Sequence, residues 1–98
     1  MTQRFTKTYW LHSLNSEPSL LLADENNGWS VRLIEIFSDG RLQYVSETED
    51  PFNRGLPDQP APRDDDIDEN EFVVFEIQPS EFEDAWTTAR ARLNQDAH

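Results

Sequence analysis

The sequence predicts an α+β fold: a four- to five-stranded, mainly antiparallel sheet with one amphipathic C-terminal helix packed on one face. Three observations lead there. Apolar and β-branched residues alternate over several short segments, the turn signals Asn26-Asn27-Gly28 and Ser38-Asp39-Gly40 punctuate them, and one stretch at helical spacing closes the chain. A run of strands followed by a helix buries both elements most simply by laying the helix across the sheet.

Taken in order, residues 5–11 mix aromatic and β-branched side chains in a pattern that suits a strand. Residues 19–23 form a second apolar run after Pro18, and the Asn-Gly turn leads from it into a third strand at 29–37. There, strict alternation places Trp29, Val31, Leu33 and Phe37 on one face and Ser30, Arg32, Ile34 and Ile36 on the other. Apolar residues on both sides mark a central strand. Gly40 can take the positive φ that a tight turn needs, so residues 41–46 return as a fourth strand. Residues 72–77 form a fifth.

Between the last two strands, residues 47–71 hold four of the six prolines and little apolar content, the mark of a long acidic surface loop. Residues 64–70 can close it with a short helical turn, Ile67 packing inward. The helix is expected over about 80–94. Ser80 and Glu83 have the spacing of a capping box, and Phe82, Ala85, Trp86, Ala89 and Leu93 fall on one face.

Ninety-eight residues set one core as the ceiling, so residues 1–98 are expected to form a single domain. Eleven aromatics supply much of that core. With no cysteine, the chain has no disulfide framework, thiolate metal site or cysteine nucleophile. The first residues lack the apolar run of a secretory signal, and no stretch approaches the length of a membrane span, so a cytoplasmic location is expected. A formal charge of −12 repels nucleic-acid phosphates and anionic lipids and attracts basic partners. Neither nucleic acid nor membrane is therefore an expected partner.

Three strings, Trp10-Leu11-His12, Arg32-x-x-Glu35-Ile36-Phe37-x-Asp39-Gly40 and Glu81-Phe82-Glu83-x-x-Trp86, together resemble a family of small acidic bacterial proteins classed as a domain of unknown function. The resemblance spans most of the chain. It implies the same ending of strand, capped turn and Trp-bearing helix in a bacterial cytoplasmic protein, and brings no activity with it.

The densest chemical signal is Asp64-Asp65-Asp66-Ile67-Asp68-Glu69-Asn70-Glu71, within a loop that carries ten acids against Arg54 and Arg63. Such a cluster can steer a cationic partner, and it can equally be a solvated run that keeps the chain soluble. Asp64, Asp66, Asp68 and Asn70 imitate the opening of a calcium loop, but the sixth position is Glu69 where the turn needs Gly, and the twelfth is Phe75 where a bidentate Glu belongs. No metal and no cofactor are expected beyond loose divalent-cation binding. The three glycines are too dispersed for a phosphate loop.

Glu35 stands between Leu33 and Phe37 on an apolar face, where an unpaired carboxylate is costly. It is expected to pair with Arg32 or Arg41 or to lie near a sheet edge; the sharper reading makes it a general base whose pKa burial raises. Only His12 and His98 offer imidazoles, and neither has a triad around it. Trp10, Trp29 and Trp86 are expected in the core, although one left exposed beside the acidic loop would supply the aromatic anchor of a binding hot spot.

The expected function is thus a non-catalytic, acidic protein-binding module, of the immunity-protein or antitoxin kind, that neutralises a basic toxin through Asp64, Asp65, Asp66, Asp68, Glu69 and Glu71. Two alternatives use the same chain differently: a nucleic-acid mimic that blocks a DNA-binding protein, and a small enzyme built on Glu35 and His12.

Overall fold

The computed structural model describes residues 3–11, 18–53, 55–57 and 70–96. Five strands, β1 (Gln3–Trp10), β2 (Pro18–Asn26), β3 (Trp29–Phe37), β4 (Leu42–Ser46) and β5 (Phe72–Glu76), precede one helix, α1 (Pro79–Asp96). All strand pairs are antiparallel and the sheet order is β4-β3-β2-β1-β5. This is the α+β architecture expected from the sequence, at the upper strand count.

The hairpins form where the turn chemistry places them. Asn27 and Gly28 take φ values of 54° and 87°, the left-handed pair that matches the twist of the flanking strands. In the next turn Gly40 has φ 89°, and the Asp39 carboxylate accepts the Arg41 backbone N–H at 3.0 Å. β2 runs on past the expected end at Ala23 through Asp24, Glu25 and Asn26. Those polar residues stay in the strand because their side chains find partners: Gln3 and Arg32 donate to the two Asp24 oxygens, and the Thr6 hydroxyl donates to Glu25.

A register shift in the β2/β3 ladder, between Asp24 and Glu25, leaves Val31 as an extra residue on β3. Strict alternation therefore fails at that point. Trp29 does not share a core face with Leu33 and Phe37; it pairs with Asn26 at the hairpin and is 48 % exposed.

The helix begins one residue earlier than expected and is capped differently. Pro79 occupies the first helical position, where its missing N–H costs nothing and its fixed φ suits the turn. The Gln78 carbonyl accepts from Glu81 and Phe82 N–H. Ser80 thus lies inside the first turn rather than at the cap, and Glu83 reaches out to Arg32 instead of back to the Ser80 backbone. Phe82, Ala85, Trp86 and Ala89 face the sheet as their spacing requires; the side chain of Leu93 lies outside the described residues.

Paired residues on antiparallel strands share a face. Leu22, Ile34 and Tyr44, aligned across β2 to β4, and Phe5 on the same face of β1 meet Phe82, Trp86 and Ala89 to form the main core. Phe5–Phe82, Tyr44–Trp86 and Phe82–Trp86 centroids are 5.4, 5.1 and 6.1 Å apart. The opposite face carries a smaller cluster of Ala23, Leu33 and Val45, covered in part by Leu56. Phe82 is fully buried, so Phe82→Ala is expected to destabilise the fold by about 3–5 kcal/mol through lost burial and a residual cavity. Urea denaturation checks this; a cost below about 1 kcal/mol would show that the helix collapses onto the sheet without Phe82.

Candidate functional site

Arg32 decides where the helix lies. It emerges from β3 beside the bulge, and its Nε–H donates to the buried Asp24 at 2.8 Å while its two terminal nitrogens grip Glu83 at 2.9 and 2.5 Å. Its planar head also lies over the Phe82 and Trp86 rings, 4.8 and 5.3 Å from their centroids. The Glu83 hydrogen bonds raise the Arg32 pKa, against the opposing effect of burial. α1 is thereby fixed across β2, β3 and β4, and its first turn reaches β1 through Phe82 on Phe5 and Glu81 on Lys7 at 3.2 Å.

Among the described residues, the β1–β5 half of that same face keeps large apolar side chains exposed. Tyr9 and Phe75 meet edge to face there at 6.0 Å, and they are 39 % and 48 % exposed, beside Leu11 at 52 %. Lys7 lies over the Tyr9 ring at 5.8 Å, its pKa raised chiefly by the hydrogen bond to Glu81. On the other side of the strands Trp10 stacks on Phe72 at 5.4 Å, half-buried. These side chains form an aromatic surface at one edge of the sheet.

Of the residues singled out from the sequence, Glu71 adjoins this surface: it is exposed and its carbonyl accepts the Leu11 N–H at 2.7 Å. Asp64, Asp65, Asp66, Asp68 and Glu69 lie outside the described residues, as do His12, Ile67 and His98. Glu35 is buried, 7 % exposed, and is not without a partner. That partner is not Arg32, which projects from the opposite face of β3 and is engaged by Asp24 and Glu83. Nor does Glu35 stand on an edge strand, since β3 lies between β2 and β4. Of the three tryptophans only Trp86 belongs to the core, and the exposed Trp29 lies at the end of the sheet away from Glu71. Tyr9 and Phe75 were the aromatic pair that alternation alone did not single out, because their exposure depends on where the helix stops.

A cavity of about 250 Å³ lies beside the helix, lined by Arg32, Ser46, Thr48, Glu49 and Trp86 among others. Its polar groups largely satisfy one another: the Ser46 hydroxyl accepts from Thr48 and Glu49 N–H, and Glu49 pairs with Arg90 at 3.3 Å. Elsewhere Arg41 pairs with Asp39 at 2.8 Å and Arg4 lies 3.7 Å from Glu76. Each of these cations is neutralised by an adjacent acid, so the described surface offers no basic patch at these positions for a phosphate backbone.

The Arg32 hydrogen bonds hold the Glu83 carboxyl below its ordinary value, burial opposing them. A depressed carboxyl contributes stability that is complete above its unfolded value and lost as pH falls through the folded one. Wild type is therefore expected to exceed Glu83→Gln in stability at neutral pH by about 0.5–1 kcal/mol, a small margin because Glu83 is half exposed. The difference should close as pH falls below 4.5. Denaturation curves at neutral pH and at about pH 3 check this; a difference that persists in acid would mean the carboxylate charge is not its source.

Among the described residues no helix is long and apolar enough to cross a membrane, and no group of three or more metal-ligating side chains is assembled. Comparison with curated proteins and with solved structures returned no match. A family model does match, over residues 4–91, from the first strand to the helix. The chain belongs to the family described as Domain of unknown function (DUF6881).

Proposed function

We propose that the chain is a non-catalytic protein-binding module for a basic partner, in the manner of a bacterial immunity protein or antitoxin that covers a basic toxin. The observation that carries this reading is the exposed Tyr9–Phe75 pair at the edge of the sheet, adjoining Glu71 at the end of the acidic run. Aromatic anchors surrounded by a charged margin are the arrangement that concentrates binding energy. The formal charge of −12 supplies long-range attraction, and exposed aromatic area supplies the short-range contacts that hold the complex.

The two contributions separate kinetically. Replacing Asp64, Asp65, Asp66, Asp68, Glu69 and Glu71 by Asn or Gln is expected to slow association about tenfold or more and to flatten its salt dependence. Phe75→Ala is expected to act mainly on dissociation, speeding it about tenfold or more. The test starts with affinity capture from the native host at low and moderate salt, followed by kinetics on the captured protein. A basic protein held by wild type and weakened by both variants supports the reading. Capture that neither variant changes removes the acidic run and the aromatic pair from the interface and defeats it.

A further inference from the structure

The sheet has two edges, and they differ. At β4 the chain folds back on itself: Ser46 N–H donates to the Glu49 carbonyl at 2.7 Å, and Phe52 packs edge to face on Tyr44 at 5.9 Å. At β5 no further strand pairs among the described residues. Sheet edges are commonly protected by Lys, Pro or a bulge. β5, reading Phe-Val-Val-Phe-Glu, has none of these devices in its sequence, and its pairing with β1 runs without a register shift.

The register shows which backbone groups point outward. Leu11 N–H donates to the Glu71 carbonyl and Ile77 N–H donates to the Phe5 carbonyl, so residues 71 and 77 turn their backbone toward β1. In an antiparallel pair the inward and outward groups alternate. Val73 and Phe75, opposite Tyr9 and Lys7, therefore also bond inward, whereas Phe72, Val74 and Glu76 direct their N–H and C=O groups away from the sheet.

We propose that this edge receives an extended segment of the basic partner as a sixth strand, hydrogen-bonded to the backbone of Phe72, Val74 and Glu76. The proposal rests on the protein-binding reading and specifies its mode. Charge selects the occupant. Glu71 precedes the strand, Glu76 at its end is only loosely paired with Arg4 at 3.7 Å and is largely exposed, and the run 64–71 leads directly into it in sequence, so the incoming strand carries Lys or Arg at its ends. A second copy would bring −12 against −12. On the helix-bearing face alternate side chains of the new strand lie next to Phe75 and Val73, which calls for apolar or aromatic residues there.

The geometry provides a selective variant. Val74→Pro removes an outward N–H and leaves the ladder to β1 intact, because proline is tolerated where a strand's N–H faces away from the sheet. The probe is a short capped peptide with a Val-Thr-Tyr-Thr-Val centre and a pair of lysines at each end, at low salt. With wild-type protein, amide exchange at Phe72, Val74 and Glu76 is expected to slow about tenfold or more on binding, while Val73 and Phe75 change little. Val74→Pro is expected to keep the fold, seen by its circular dichroism and thermal transition, and to bind about tenfold or more weakly. The exchange measurement on wild type stands independently if that variant fails to fold. Peptide binding without slowing at the three amides overturns strand addition and leaves recognition of basic segments standing. A concentration-dependent dimer that Val74→Pro dissolves assigns the edge to a second copy and also overturns the proposal. If the peptide does not bind at all, both strand addition and the basic-partner reading fail.

Discussion

The guanidinium of Arg32 is the constraint on which the rest of the arrangement depends. Asp24 is 3 % exposed in the middle of the sheet, and a carboxylate so placed is tolerated only with its oxygens satisfied. Gln3 bonds one oxygen and Arg32 the other. Having met that demand, the same fork grips Glu83 and lies over two rings of the helix. Lysine, with a compact charge and no planar fork, cannot make all these contacts together. The helix is thus positioned by a polar residue as well as by its apolar stripe, and its position determines which half of the sheet stays bare.

Much of this was legible in the residues and some was not, for physical reasons that differ. Strand β3 was readable at both ends because a turn bounds it on each side. In β2 alternation stops at adjacent acids, whereas Asp24 and Glu25 remain in the strand through partners distant in sequence. The bulge at Val31 carries no Gly or Pro to announce it, so alternation alone places Trp29 on the wrong face. Ser80 and Glu83 have the spacing of a capping box, yet Pro79 starts the turn sooner and Arg32 competes for the carboxylate. The acidic run was obvious as charge, but alternation gave no hint of the Tyr9–Phe75 surface, whose exposure is a tertiary property.

The two faces of the sheet solve the polar-burial problem differently. Against the helix, charge is carried by the Asp24–Arg32–Glu83 chain, bordered by aromatic rings, with the Lys7–Glu81 pair at its margin. On the opposite face Glu25 takes the Thr6 hydroxyl at 3.0 Å, and Glu35 is buried in the same layer as Ala23, Leu33 and Val45. Both faces of β2 and β3 are therefore buried, which explains why those strands read as apolar on each side.

The strand order has a temporal side. Strands β1 to β4 are sequential neighbours, a meander whose contacts close over short stretches of chain, whereas β5, beyond residues 47–71, pairs at the opposite edge of the sheet from β4, with β1. Local pairings form with little loop entropy and distant ones late. On a ribosome that releases the chain from its N-terminus, the meander can assemble before β5 and the helix have emerged. The interval leaves two vacancies, the β1 edge and the floor under α1, both filled by the last quarter of the chain. Among the described residues β5 is the last strand of the sheet, so the element that ends one vacancy leaves another.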